Sequence, residues 1–258
     1  MAQTLRIAIV QSHLHWENPE QNRKMFEEKI DAISEDVDLV VLPEMFTSGF
    51  TMEPAHIDPS EGRKTVEWMQ RLAQQKNMTL TGSILFPENG NYFNRLFFVE
   101  PNGKYSTYDK KHTFTLAGED KVYEAGKHKL IVEFRGFKLC PLICYDLRFP
   151  VWARNVEDYD VLIYVANWPK PRIEAWDTLL KARAIENMAY CVGANRIGQD
   201  NLQHEYPGHS AVYDVLGKQI AYSDEEEILY AILDKGHIDS TRKKLRFLED
   251  RDDFSWKG

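Results

Sequence analysis

Phe137-Lys138-Leu139-Cys140-Pro141-Leu142-Ile143-Cys144-Tyr145-Asp146-Leu147-Arg148-Phe149-Pro150 is the segment on which the reading of this chain turns. Residues 137–143 form an apolar run of strand length, and such a run, bounded by turn residues, reads as a buried strand. The run delivers Cys144 to the point where the chain turns, with an acid, a base and a proline following. A thiol at a strand end can meet a molecule that a core thiol cannot. A thiolate is intrinsically reactive and needs only a neighbouring base or a positive field to form, so Cys144 is a candidate nucleophile. The same residue also reads as a packing thiol, because free cysteines are among the most buried residue types.

Two other segments have the same strand-then-polar form. In Val40-Val41-Leu42-Pro43-Glu44-Met45-Phe46 the proline stops the strand, since it cannot continue a central ladder. Glu44 is left at a strand tip among apolar neighbours, where a carboxylate tends to hold its proton more tightly and suits general-base work. A surface carboxylate is the alternative. In Tyr108-Asp109-Lys110-Lys111-His112-Thr113-Phe114, strand alternation sends one lysine inward and the other outward without saying which. An inward lysine beside a thiolate would lower the thiol pKa and hold an oxyanion. The alternative is a solvated pair on a loop.

Around these segments, strand and helix patterns alternate. Strands are expected over residues 5–11, 37–42, 79–86, 95–100, 129–134, 137–143, 161–165 and 190–195. A late meander covers 210–214, 219–223 and 228–233, and its turn residues imply antiparallel pairing. Helices are expected over 19–33, with Phe26, Ile30 and Ile33 on one face, over 63–76 and over 172–188. Helices between strands imply sheets covered on their outer faces, an α/β layered fold. No internal repeat, low-complexity tract or Gly/Ser linker interrupts the 258 residues, which read as one domain over 1–258.

Composition narrows the classes further. A net charge of −8 argues against general nucleic-acid affinity, which wants a basic face, yet leaves room for an anionic small molecule beside a local arginine. Three cysteines are too few for a disulfide framework and point to a reducing cytoplasm. Cys140 and Cys191 lie in apolar runs and read as core. Met1-Ala2-Gln3-Thr4 leads into a strand without the pattern of a signal peptide. No apolar run approaches the roughly 20 residues of a membrane helix. No His/Cys/Asp cluster has zinc spacing and no Gly-rich string has the form that cradles a nucleotide phosphate, so neither metal nor cofactor is expected.

Taken in order, the glutamate after strand and proline, the Tyr-x-Lys-x-His-x-Phe string and Ile-Cys-Tyr-Asp-Leu-Arg-Phe-Pro resemble the nitrilase superfamily of carbon–nitrogen hydrolases. The resemblance spans nearly the whole chain. It includes Ala182-Arg183-Ala184-Ile185-Glu186-Asn187, Gly193-Ala194-Asn195-Arg196-Ile197-Gly198, Gly208-His209-Ser210-Ala211 and the Asp214-Val215-Leu216-Gly217 turn. Glu44-Met45-Phe46-Thr47-Ser48-Gly49-Phe50, Ala166-Asn167-Trp168-Pro169 and Trp176 resemble the omega-amidase branch. That branch hydrolyses the terminal amide of 2-oxo acids such as 2-oxoglutaramate. The resemblance implies two mixed sheets face to face between helical layers, α-β-β-α, and a homodimer. It implies a Glu44, Lys110, Cys144 triad, with the lysine role falling on Lys110 and Lys111 left as an exposed charge. Glu119 matches an additional glutamate that positions the lysine and substrate.

The implied chemistry is acyl transfer through a thioester, with Lys110 and the Tyr145 backbone N–H on the oxyanion. For a far carboxylate, Arg148 and Arg172 are candidate ligands by virtue of their bidentate forks, with an internal pair between Arg148 and Asp146 as the alternative. Trp168 is a candidate pocket wall. His112 and His209 read as structural. Hydrolysis of an N-carbamoyl compound or a nitrile, and a non-catalytic binding role on the same fold, are the competing readings.

Overall fold

The computed structural model describes residues 3–255. Met1 and Ala2, part of the stretch read for a leader, lie outside the described residues. The first sheet runs in the order β14-β1-β2-β3-β4-β5. Its strands are β1 (Thr4–Val10), β2 (Leu39–Val41), β3 (Thr79–Glu88), β4 (Asn91–Val99), β5 (Tyr105–Asp109) and β14 (Ile228–Asp234). The second runs β13-β12-β9-β8-β7-β6, from β6 (Val132–Phe134), β7 (Phe137–Ile143), β8 (Val161–Ala166), β9 (Tyr190–Asn195), β12 (Ser210–Tyr213) and β13 (Gln219–Ser223). Each sheet holds three central parallel strands, β1-β2-β3 and β7-β8-β9, flanked by antiparallel ones. The two halves thus repeat one plan that left no repeat in the sequence.

Strand alternation assigns the layers. Leu5, Ile7 and Ile9 of β1, with Leu39, Val41, Leu96 and Phe98, join the core shared with the second sheet. Ala8, Val10, Val40, Leu42, Phe97 and Val99 point the other way, into the cluster made with α1 (Pro19–Asp31) and α2 (Ser60–Lys76). On the far side α4 (Ile173–Asn187) covers β9 with Trp176, Leu180 and Ala184. That approach is close: a Cβ on Gly193 would lie 2.4 Å from Leu180 Cδ1, so only glycine fits there. The four layers are therefore helix, sheet, sheet, helix. Burial of a Leu- or Phe-sized side chain contributes about 2 kcal/mol, so the shared core outweighs any single local propensity.

Several elements differ from the sequence expectation. The strand expected from 129 starts at Val132, and the strand expected from 95 begins at Asn91, extending the β3–β4 hairpin. A helix α5 (Lys235–Leu245) follows β14. Its apolar face is too thin to read, with Ile238 as its only buried apolar residue. Polar contacts hold it: Asp234 accepts from Gly236 N at 2.8 Å as the N-cap, and Arg242 Nε donates to Met188 O at 2.9 Å. A short α3 (Pro150–Ala153) and an antiparallel ribbon of β10 (Ile197–Gln199) and β11 (Glu205–Pro207) were also unmarked in the sequence. No helix among the described residues is long and apolar enough to cross a membrane.

Candidate active site

Glu44, Lys110, Cys144 and Asn167 each stand just beyond the carboxyl end of a strand: β2, β5, β7 and β8. Open α/β sheets place ligands at such ends. Because the two sheets face each other, these strand ends look into one cleft.

Two departures are sharp in the same way. Met45, after Glu44, has φ +44°, and Cys144 itself has φ +43°. Non-glycine residues in the left-handed region persist only where the surroundings over-determine them. The Glu44 turn is fixed by Ser83, whose hydroxyl accepts from Met45 N at 2.9 Å and whose carbonyl accepts from Phe46 N at 3.1 Å. The Cys144 turn is fixed by Asp146, a fully buried carboxylate. Its oxygens accept from Ile143 N at 3.0 Å, Tyr108 Oη at 2.7 Å, and His112 N and Nδ1 at 3.0 and 2.8 Å. Asp146 thereby ties the cysteine turn to both sides of Lys110. Trp152 Nε1 and Lys111 N close the network on Tyr108 Oη at 3.0 and 3.2 Å, and the His112 ring stacks on Phe149 at 3.6 Å.

Lys110 is the inward lysine, buried with 1% exposure. Its Nζ donates to Glu44 Oε1 at 2.8 Å and to Glu119 Oε1 and Oε2 at 3.0 and 2.9 Å. Gly126 passes over this segment so closely that a Cβ would lie 2.0 Å from Asp109 O. Burial works against the Lys110 charge, but Glu119 and Glu44 outweigh it and hold its pKa above the ordinary lysine range. Burial raises the Glu119 carboxyl, with Glu44 adding to the rise and Lys110 opposing it. Burial, then the negative charge of Glu44, pushes the Cys144 thiol well up, with Lys110 opposing, and the thiol lies within hydrogen-bonding reach of Glu44. The resting site therefore holds a thiol that burial keeps protonated, with the Glu44 side chain beside it, which is the arrangement a general base needs. Cys140 and Cys191 are also raised by burial, but they sit wholly inside the core.

The cleft is a cavity of about 340 Å3. Glu44, Lys110, Cys144, Tyr145, Arg148, Trp168 and Arg172 all line it. Glu119 stands one layer behind, reaching the cavity only through Lys110. Arg148 is not paired with Asp146, whose oxygens are taken by Tyr108, His112 and Ile143; its guanidinium lies 5.0 Å from the Trp168 ring centroid. Arg172 lies 5.2 Å from the Phe114 ring. Trp168 is both wall and core: it is buried, and its Nε1 donates to Arg172 O at 2.7 Å. Lys111 is not the exposed charge expected, since it is half-buried with its ammonium 5.6 Å from the Trp152 ring.

Four contributors were not singled out from the sequence. Asn94 Nδ2 donates to Glu44 Oε1 at 2.8 Å and to Glu119 Oε1 at 3.2 Å. Asn167 N donates to Glu44 Oε2 at 2.8 Å, and its Nδ2 to Glu44 O at 2.6 Å. Tyr206 and His204 reach the cavity mouth from the β10–β11 ribbon, anchored by Asp200, which accepts from Tyr206 Oη at 2.8 Å and from His204 N at 3.0 Å. Asn94 had a signal: asparagine is disfavoured inside strands, and it interrupts the aromatic run Tyr92-Phe93-Asn94-Arg95-Leu96-Phe97. The ribbon had none. Among the described residues no group of three or more His, Cys, Asp or Glu side chains could hold a metal.

The profile of carbon-nitrogen hydrolases matches residues 6–243. The chain is 42% identical over 252 residues to omega-amidase YafV of Escherichia coli K12, covering 97% of this chain and 98% of that protein. It is 32% identical over 252 residues to the 2-oxoglutaramate amidase of Bacillus subtilis 168, covering 95% and 96%. Among solved structures, XC1258 of Xanthomonas campestris, a CN-hydrolase superfamily protein with an arsenic adduct in its active site, superposes with a TM-score of 0.94. That match has 37% identity and covers 98% of this chain and 99% of that one. Nit3 of Saccharomyces cerevisiae, of branch 10 of the nitrilase superfamily, superposes with a TM-score of 0.82 at 26% identity, covering 94% of each chain. Profile, relatives and fold agree that this chain belongs to the carbon-nitrogen hydrolase family.

Proposed function

We propose that the protein is an amidase that hydrolyses the terminal amide of a small 2-oxo acid amide, of the 2-oxoglutaramate kind, to the acid and ammonia through a thioester on Cys144. The observation that carries the reading is the meeting of a neutral thiol, a carboxylate and an ammonium in one cavity. The mouth of that cavity adds two arginines, and the names borne by the relatives agree.

In the proposed cycle Glu44 takes the Cys144 proton as sulfur attacks the amide carbonyl. Negative charge moves to the carbonyl oxygen, opposite Lys110 Nζ and the Tyr145 N–H. Removing one such donor typically costs about 3 kcal/mol of barrier. Collapse breaks the C–N bond, and the proton on Glu44 goes to the departing nitrogen, which leaves as ammonia. Water then attacks the thioester while Glu44 takes its proton. Collapse frees the acid and returns the proton to sulfur. Glu119 holds Lys110 in place and balances its charge. The guanidinium groups of Arg148 and Arg172 receive the far carboxylate, while Trp168 walls the chain between.

The reading treats residues 1–258 as one catalytic domain in a reducing cytoplasm; Cys140, Cys144 and Cys191 standing free suits that setting. It also includes a homodimer, supported by exposed apolar Ile185 on α4 beside Leu216 of the Asp214–Lys218 turn. The test is mass spectrometry during turnover of 2-oxoglutaramate, run beside N-carbamoyl and nitrile panels. A substrate-derived acyl adduct on Cys144, absent in Cys144→Ala, is expected. Unchanged turnover in Cys144→Ala, or an adduct on Cys140 or Cys191, would overturn the proposal.

A further inference from the structure

The cluster around Lys110 has an imbalance of charge. Two carboxylates, Glu44 and Glu119, are wholly buried against one ammonium. Buried carboxylates stay ionised only where donors satisfy their lone pairs. Glu119 Oε2 has Lys110 and Phe114 N, at 2.9 and 2.5 Å, and Glu44 Oε2 has Asn167 N at 2.8 Å. The two Oε1 atoms face each other across Lys110 Nζ. The one neutral side-chain group that bridges them among the described residues is the Asn94 amide NH2.

We infer that Asn94 is a positioning residue that clamps the two acidic side chains at the Lys110 ammonium and keeps Glu44 aimed at Cys144. Its placement serves that end. Asn94 is 1% exposed, in mid-strand on β4, where it is paired with Leu85 across the ladder. Its carbonyl accepts from Lys110 N at 3.0 Å, so one residue fixes both the Lys110 backbone and the two carboxylates. The orientation of the amide is forced, because an oxygen in place of Nδ2 would face two carboxylate oxygens. Asn94 Oδ1 has no hydrogen-bond partner among the described residues. An orphaned buried acceptor is costly, and it is retained where the other half of the group is needed. The charged and titratable groups facing Glu44 are Lys110 beyond β5, Glu119, Cys144 beyond β7, Tyr123, and Tyr206 of β11. None of the others is a neutral donor to both acids.

The inference deepens the amidase reading and rests on it only for turnover, so the test has an arm that needs no amide. Alkylation of Cys144 by iodoacetamide, followed by mass spectrometry across pH, reports how readily Glu44 takes the thiol proton. In Asn94→Ala, Glu44 loses a donor and holds a proton more tightly. The acid limb of the alkylation profile is then expected to move to higher pH by about one unit, the size of a lost hydrogen bond to a charged group. In Asn94→Asp, which keeps the shape and so guards against a misfolded alanine variant, a third acid replaces the donor and a larger upward shift is expected. In the amide assay kcat is expected to fall about tenfold on the acid limb, with KM little changed. An acid limb in Asn94→Asp that coincides with that of the unmodified protein would overturn the inference. So would a loss expressed in KM alone. Absence of amide turnover by the unmodified protein sinks the amidase reading but leaves the alkylation result standing.

Discussion

Replacing Lys110 by methionine keeps most of the side-chain volume and removes the ammonium. Lys110 Nζ lies 2.8 Å from Glu44 Oε1 and 3.0 Å from Glu119 Oε1, which puts those two oxygens within about 6 Å of each other. Without the cation, two unit charges about 5 Å apart at an effective dielectric of about 20 repel by about 3 kcal/mol. That is about two pKa units in favour of a proton shared by the pair, which would keep Glu44 from its proposed work as base. Loss of the proposed oxyanion donor would remove a further factor of about 100 to 1,000. Amide turnover, followed as ammonia release, is therefore expected to fall by at least about 1,000-fold. Stripping a buried cluster of its counter-charge also costs about 3–5 kcal/mol of stability. The pH dependence has a definite sign. Carboxylates whose folded pKa is raised above the unfolded value contribute stability at low pH, and that contribution is lost as pH rises through the raised value. The melting temperature of Lys110→Met should then fall further below that of the unmodified protein at pH 8 than at pH 5. Turnover within tenfold of the unmodified protein, or an equal melting deficit at both pH values, would refute the reasoning.

Asp146→Asn replaces acceptors with a donor that must face Ile143 N or the His112 groups; melting should drop by an amount matching about 2–3 kcal/mol and kcat should fall while KM changes little, as steady-state kinetics would show. Arg148→Ala and Arg172→Ala should each raise KM for an anionic 2-oxo acid amide about tenfold or more and leave an uncharged amide of similar size unaffected, and equal effects on both substrates would remove the arginines from carboxylate binding. Asp38, buried at the foot of the first sheet, accepts from Arg6 N, Nε and Nη2 at 2.9, 3.1 and 3.0 Å and from Arg135 Nη1 at 3.1 Å. Burial raises its carboxyl, but Arg6 and Arg135 together outweigh that and hold it below the ordinary aspartate value. Its stabilisation is present above the unfolded value and is lost as pH falls through the lower folded one. Asp38→Asn should thus unfold more readily than the unmodified protein at pH 7, with the gap closing below about pH 4 in denaturant titrations.

How far the sequence could be read follows from which interactions are local. A strand that ends in proline and glutamate, and another that ends in cysteine, are set by backbone chemistry over a few residues. Alternating strands and helices are likewise written in short-range apolar periodicity. Helix α5 escaped because its stability comes from an N-cap and from Arg242 reaching distant carbonyls, contacts that leave no apolar stripe. The β10–β11 ribbon escaped because Asp200 organises it through hydrogen bonds within a loop.

The order of Glu44, Lys110 and Cys144, and the strand that leads to each of them, were determined by the chain alone, since each strand is set by apolar and turn residues within a few positions of it. Which lysine turned inward, which acid tied the cysteine turn to the lysine strand, and which amide bridged the two carboxylates were decided only when the sheets came face to face. Lys110, Glu119, Asn94 and Asp146 meet across long stretches of sequence, and burial there gives each pairing its strength. A lone polar residue in a sequence does not disclose the partner that burial will force on it.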